Sequence, residues 1–302
     1  LFGQYDLSSF SGRERFDARE QAGGAGDVAV KPAPFVWHRP SSLSEAAALL
    51  AEHAPEDGLV LAGGQSLIPA MALRVARPRH LIDINGVAAL ARIEAGEGRL
   101  RIGALVRHDD LRTAEVPGPL AALLRDVVRH IAHWPIRTRG TFCGSCCHAD
   151  PAAEWPLVAV VLGATMIARS VRGERAVPAA EFFQGPLTTA LAADEILAAV
   201  DLPLLPPGTR HGFIEVSRRA GDFAQAMALA VLSPEGPRIG VGAVEPRPRR
   251  IASAEAAFDG TAACTDKVAM VAAAAISPME DPEYRRALVR SSVARALAEA
   301  LR

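Results

Sequence analysis

Charge in excess of either sign is missing: the 302 residues carry 33 Lys and Arg against 34 Asp and Glu, a formal net charge of −1. A chain that grips nucleic acid or a membrane surface by charge carries a basic excess or a basic face. The local arginine groups (Arg74, Arg77, Arg79; Arg247, Arg249, Arg250) read as solvated surface and loop ends. Cysteine is equally scarce. There are four, and Cys143, Cys146 and Cys147 crowd into one short stretch, which argues against long-range disulfides and for a reducing compartment. No apolar run approaches the ~20 residues that cross a bilayer, and the N-terminus lacks the basic-then-apolar order of a secretory leader. The expected address is the cytoplasm. No solenoid period repeats, and neither a G-x-S-x-G elbow nor a G-x-x-x-x-G-K phosphate loop is present.

What remains is a chain that is 50% apolar, long enough for two packed domains of about 100–200 residues each. Residues 1–30 mix charge, serine and glycine and read as a flexible extension. Within them, Gly24-Ala25-Gly26-Asp27-Val28-Ala29 fits the dinucleotide pattern G-x-G-x-x-A, but no buried strand precedes it and no helix follows, so a Rossmann turn is not expected. Order is expected from Pro34-Phe35. Ser42-Leu43-Ser44-Glu45 predicts a capping box, with Leu43, Ala46, Ala47 and Leu50 on one helix face. Leu59–Leu61 predicts a strand running into Ala62-Gly63-Gly64, and Arg99–Gly103 predicts another.

A helix is expected over Leu120–His130, an irregular stretch over Ile136–Pro156, and a buried helix over Leu157–Leu162 ending at Gly163. Thr165–Val171 and Glu195–Leu202 predict strands, with a turn at Gly173-Glu174. Pro203, Pro206, Pro207 and Gly208 mark a boundary, giving 1–30 as extension, 31–206 as one domain and 207–302 as another. Beyond it, Ala226–Leu232 and Arg238–Val244 flank Pro234–Pro237 as a hairpin, and helices are expected at Ser253–Phe258, Asp266–Ala275 and Tyr284–Leu301. The pattern is α+β.

Two constellations carry chemistry. In Leu61-Ala62-Gly63-Gly64-Gln65-Ser66-Leu67 a strand enters paired glycines. Glycine permits close approach of backbone to a ligand and positive φ, and successive N–H groups form a nest for an anion such as a pyrophosphate. An ordinary tight turn fits the same residues. The second is Gly140-Thr141-Phe142-Cys143-Gly144-Ser145, followed by His148-Ala149-Asp150-Pro151 and Glu154. Glu154 suits a ribose; Asp150 before Pro151 also suits a helix start.

Cys143-Gly144-Ser145-Cys146 is a C-x-x-C with no second pair for zinc. Cys147 stands where the haem pattern C-x-x-C-H needs His, and four suitably spaced thiolates for an iron–sulfur cluster are lacking. The thiols read as small apolar fillers, with metal and dithiol redox as lesser alternatives. The histidines (His38, His53, His80, His108, His130, His133, His148, His211) are scattered and read as structural or exposed. No catalytic dyad stands out.

These two loops, with KPAPFVWHRPSSLSEAAALLAEH (31–53), LAGGQSLIPAMALRVARPRHLIDIN (61–85), IRTRGTFCGSCCHADPAAEWP (136–156) and RRAGDFA (218–224), resemble the FAD-binding medium subunit of molybdenum hydroxylases, the carbon monoxide dehydrogenase and xanthine dehydrogenase family. The resemblance runs from about Lys31 to Arg302. It implies a PCMH-type FAD-binding fold of two α/β subdomains, then a domain with a three-stranded antiparallel sheet and helices. It implies that Ala62–Leu67, with Leu61 behind them, wrap the FAD pyrophosphate, and that Thr141, Gly144 and Ser145 approach the diphosphate and ribityl chain. Glu154 would hold the adenine-side ribose, and Ile131 and Leu197 would be apolar walls. Gly140, Cys143 and His148 complete the expected cofactor-binding set.

It further implies partners: a molybdopterin-binding large subunit and a small subunit with two [2Fe–2S] clusters, assembled as a dimer of heterotrimers. Electrons would pass from the clusters to this FAD and on to NAD, a quinone or oxygen. Cys143 departs from the family's usual Gly-Gly. A Cβ is harmless there only if the backbone has negative φ, which is the expectation. Two alternatives stay open: a subunit that has lost flavin and serves as scaffold, and a stand-alone FAD oxidase.

Overall fold

A computed structural model describes residues 31–302, so the Gly24–Ala29 pattern and the rest of the extension lie outside the described residues. The chain opens with strand β1 (Val36–His38), helix α1 (Leu43–His53), β2 (Gly58–Leu61), α2 (Leu67–Ala72) and β3 (His80–Asp83), forming a parallel sheet in the order β1-β3-β2. The Ser42 hydroxyl accepts from Glu45 N at 3.1 Å, as a capping box requires. The return arm differs from the standard box: Glu45 Oε2 accepts from the N–H and hydroxyl of Ser41, one residue upstream. Ala46, Ala47 and Leu50 face the core.

A second, antiparallel sheet follows. Its strands are β4 (Ile93–Gly96), β5 (Arg99–Gly103), β6 (Thr165–Ser170), β7 (Gly173–Pro178) and a later strand, Ile196–Pro203, which sits between β5 and β6. Gly173-Glu174, expected as a turn, opens β7, because the turn is tighter and uses Val171-Arg172. Between β5 and β6 lie α3 (Asp110–Thr113), α4 (Leu120–Val128), α5 (Trp134–Arg137), α6 (Phe142–His148) and α7 (Glu154–Leu162).

The stretch 136–156 is therefore not irregular: it holds the end of α5, all of α6 and the start of α7. Two short helices with a glycine and polar residues carry too little 3.6-residue periodicity to be read. Asp150 is not a helix cap either. Ala149 ends α6 in the left-handed region (φ 51°), and the Asp150 carboxylate closes a local turn by accepting from Ala152 N at 2.8 Å. After β7 come α8 (Ala179–Phe182), a small ladder of β8 (Phe183–Gly185) with β9 (Thr188–Thr189), and then Ile196–Pro203 as β10.

The third sheet is antiparallel in the order β11 (Arg210–Ser217), β12 (Ala224–Ser233), β13 (Gly236–Gly242) and β14 (Arg249–Arg250). The expected three strands are there, with a two-residue fourth at the edge. Helices α9 (Ala252–Ala257), α10 (Thr265–Ala275) and α11 (Pro282–Ala300) cover one face. β12 is buried on both sides: Met227, Leu229 and Val231 join the core shared with the first two sheets, while Ala226, Ala228 and Ala230 join the core under α10 and α11. Helix α7 packs on the other face against β12, β13 and β14. It is apolar all round, as a fully surrounded helix must be, and so ties the third sheet to the second.

Small residues set these distances. A Cβ on Gly212 would stand 2.0 Å from the Ala296 carbonyl oxygen and 2.8 Å from Glu299 Cβ, so α11 lies directly on β11. Gly212→Ala forces that helix off the sheet and is expected to cost about 1–3 kcal/mol, seen as a lower denaturant midpoint. Gly185→Ala, whose Cβ meets nothing within 4 Å, is the neutral control.

Candidate functional site

The two glycine-rich turns lie against one another. A Cβ on Gly63 would fall 2.4 Å from the Arg139 carbonyl oxygen and 2.7 Å from Gly140 Cα, and one on Gly140 would fall 2.6 Å from His108 Nε2. Both positions need glycine for close approach, and Gly64 needs it for its left-handed backbone (φ 73°). Arg107 braces the contact from below. Its guanidinium donates to the Arg139 carbonyl and to Asn85 Oδ1, each at 2.6 Å. Asn85 in turn donates to the Ala62 carbonyl at 2.9 Å and to Asp83 at 2.6 Å. One side chain thus holds a carbonyl of the second turn and, through one amide, a carbonyl of the first. Gln65 Nε2 donates to the Gly63 carbonyl at 3.2 Å and closes its own turn.

Thr141 caps α6, its hydroxyl accepting from Gly144 N at 3.0 Å. A Cβ on Gly144 would sit 2.6 Å from that hydroxyl oxygen. Cys143 lies within α6 at negative φ, as expected, and is buried, its thiol donating to the Ile102 carbonyl at 3.5 Å. All four cysteines are free. Burial raises the thiols of Cys143 and Cys146 well above their ordinary range and pushes Cys147 up to about 12. They are thiols rather than thiolates, as small apolar fillers should be.

A cavity of about 430 Å³ opens between these turns, within the range of about 300–1,000 Å³ usual for small-molecule and cofactor sites. Leu61, Ala62, Gly63, Gly64, Gln65, Ser66 and Leu67 line one side, and Gly140, Thr141, Cys143, Gly144, Ser145, His148 and Glu154 line another. Ile131 and Leu197 supply apolar wall. Every residue expected from the sequence is therefore on one cavity, although the two turns are about 75 residues apart. Sequence reasoning missed His108, Ala132, Ile136 and Cys147, and also Gly221, Asp222 and Phe223 from the loop joining β11 to β12. That loop leans in so closely that a Cβ on Gly221 would fall 2.4 Å from the His133 ring. Its signal was the Arg218–Ala224 motif, to which no role was attached.

Two electrostatic features border the cavity. His108 is buried, and its Nδ1 accepts from Trp155 Nε1 at 2.8 Å. Indole N–H only donates, so the His108 proton sits on Nε2. Burial, with Arg107 and Arg137 nearby, pushes its pKa down to about 4. Glu154, at the start of α7, meets Glu215 of β11, carboxyl to carboxyl. Burial raises both above the ordinary carboxylate range, and mutual repulsion raises Glu215 further. Two carboxyls in contact need one proton between them.

The two features titrate in opposite directions. In the folded chain the glutamate pair binds more protons than when unfolded, so its contribution is full below the ordinary value of 4.5 and is lost as pH rises through the raised pKa values. The depressed His108 contributes fully above 6.5 and is lost as pH falls through about 4. Glu215→Gln keeps a hydrogen-bond donor for Glu154 and is expected to flatten the alkaline limb of a stability-against-pH curve while sparing the acid limb. Chemical denaturation from pH 4 to 9 reads both limbs.

Comparisons with known proteins give the family of the chain. Residues 32–205 match the family model described as the FAD binding domain in molybdopterin dehydrogenase. The chain is 40% identical over 211 residues to the caffeine dehydrogenase subunit beta of Pseudomonas sp. strain CBB1, covering 70% of this chain and 71% of that protein. It is 36% identical over 273 residues to the nicotine 6-hydroxylase medium subunit of Paenarthrobacter nicotinovorans, covering 86% and 95% of the two chains. Among solved structures, carbon monoxide dehydrogenase from Hydrogenophaga pseudoflava superposes with a TM-score of 0.83 at 34% identity, over 89% of this chain and 98% of that one. With the family match spanning more than half of its length and these relatives most of it, the chain belongs to the FAD-binding family of molybdopterin dehydrogenases.

Proposed function

We propose that this chain is the flavin-carrying medium subunit of a molybdenum hydroxylase complex. In this reading residues 31–206 form the FAD-binding domain, and residues 207–302 form the domain that closes the site. A large subunit carries molybdopterin and a small subunit carries two [2Fe–2S] clusters; the assembly is a dimer of heterotrimers in the cytoplasm. Electrons reach this chain from the clusters and leave to NAD, a quinone or oxygen. The observation that carries the reading is the convergence of two glycine-rich turns on one cavity, each at a distance that leaves no room for a Cβ.

The residues present fit the group. Backbone N–H groups around Ala62–Leu67 form the nest for the pyrophosphate. Thr141, Gly144 and Ser145 would bring the start of α6 to the diphosphate and ribityl chain. Glu154 accepts from ribose hydroxyls, and Ile131 and Leu197 wall the rings. When bound, the flavin supplies the exchange between one-electron and two-electron carriers, and the protein supplies binding, orientation and electrostatic tuning. Arg107 keeps both turns in place, and Phe223, 72% exposed on the cavity's rim, borders the entrance from the third sheet. Cys143, which departs from the family's usual Gly-Gly, stands in helical backbone where a Cβ carries no strain.

The test is visible absorbance of the purified protein, followed by release and identification of flavin. FAD near one per chain is expected. A colourless protein that fails to take up added FAD would overturn the reading. Gly63→Ala pushes a methyl group into the Arg139 carbonyl and is expected to raise the dissociation constant for added FAD at least about tenfold, since even a ~1.4 kcal/mol misfit costs that much affinity. Cys143→Gly is expected to leave FAD content unchanged.

A further inference from the structure

Three histidines far apart in sequence stand together beside the first sheet: His38 closes β1, His53 closes α1 and His80 opens β3. None of them lines the cavity. Their rings stack, with centroids 4.0 Å apart for His53 and His80, 4.5 Å for His38 and His53, and 5.2 Å for His38 and His80. One ring nitrogen from each lies within 4.8 Å of the other two. All three are half-buried.

Their hydrogen bonds assign the protons. Glu56 Oε2 is 3.2 Å from His80 Nε2, so that nitrogen carries the hydrogen. The lone pair of His80 Nδ1 then faces His38 Nε2 at 2.9 Å. A carboxylate on the far nitrogen of an imidazole, with the near nitrogen aimed at a second imidazole, is the arrangement that orients metal-bound histidines. Two nitrogens each about 2.0–2.1 Å from a tetrahedral ion stand roughly 3.3 Å apart, so the present pair has to part by only about 0.4 Å. Glu52, with Oε1 4.0 Å from His53 Nε2, and Glu56 add negative charge beside the cluster.

We propose that His38, His53 and His80 form a site for a divalent transition-metal ion of the zinc class. Glu56 is the outer carboxylate behind His80, and water is the fourth ligand. Imidazole donors suit zinc, copper and nickel better than calcium or magnesium. The His53 ring lies within 4° of parallel to that of His80, so its lone pair runs in a parallel plane, and it swings about its side-chain torsions to complete the set. The ion clamps the end of α1 to the starts of β3 and β2, since His80 pairs with Gly58 in the parallel ladder. Its role is structural.

Co²⁺ is the probe for the test, titrated into purified full-length chain after dialysis against chelator, with Zn²⁺ in a parallel thermal melt. One Co²⁺ per chain is expected, with the visible bands of a tetrahedral nitrogen and oxygen site and no thiolate charge-transfer band. Zn²⁺ is expected to raise the melting midpoint. His38→Gln and His80→Gln should abolish both effects. Glu56→Gln, at an exposed side chain where folding is not at risk, should weaken Co²⁺ affinity about 10–100-fold. No uptake by the wild-type chain, or uptake that these three variants leave unchanged, or thiolate bands from Cys147, would each overturn the proposal. None of these outcomes bears on flavin content.

Discussion

Everything about the cavity depends on one contact, the seating of Gly63 against the backbone of Arg139 and Gly140. Two main-chain segments this close would face each other with unpaired carbonyls unless something satisfied them. Arg107 does so with one planar group: one nitrogen takes the Arg139 carbonyl and another takes Asn85, which takes the Ala62 carbonyl. Burial and the nearby Arg139 lower the Arg107 pKa below its ordinary value, but the side chain stays a cation. Three hydrogen bonds, two involving a charged donor, hold the gap whose width decides what fits between the turns.

Around that contact the fold is a stack in which no layer is finished alone. The first sheet has three short parallel strands and gains its burial from α1, which itself packs on β6 of the second sheet. The third sheet places β12 between two cores, with larger side chains toward α7 and alanines toward α10 and α11. The alanines and Gly212 keep the outer helices close, while Met227, Leu229 and Val231 fill the wider space toward α7. The Glu154 and Glu215 carboxyls add a polar contact across the same junction, between the start of α7 and β11.

Much of this was legible in the residues. The paired glycines after Leu61, the cap at Ser42, the hairpin around Pro234-Glu235 and the closing helices all announce themselves through local chemistry, and the structure has them within one to three residues of the expected bounds. The sixteen residues expected to bind cofactor all line one space. What was not legible depends on partners distant in sequence. Helices α5 and α6 are too short for periodicity to register and are held by Arg107, His108 and the Thr141 cap. β1 and β3 have three and four residues, and only pairing within the sheet, with each other and with β2, makes them strands. Gly221–Phe223 reads locally as a turn, and nothing in that segment announces His133 as its neighbour. The histidine cluster was equally hidden, because its members are scattered along 43 residues and only the packing of β1, α1 and β3 gathers them.

The loop that brings Gly221, Asp222 and Phe223 to the cavity has a consequence for the order in which the protein comes into being. On the ribosome, both glycine turns emerge long before residue 223, yet the space between them lacks its rim until β11 and β12 have been made and paired. Because α7 needs the same strands to cover its second face, the nascent chain up to β10 carries an exposed apolar helix beside an open cleft. Completion of the third sheet covers both at one stroke.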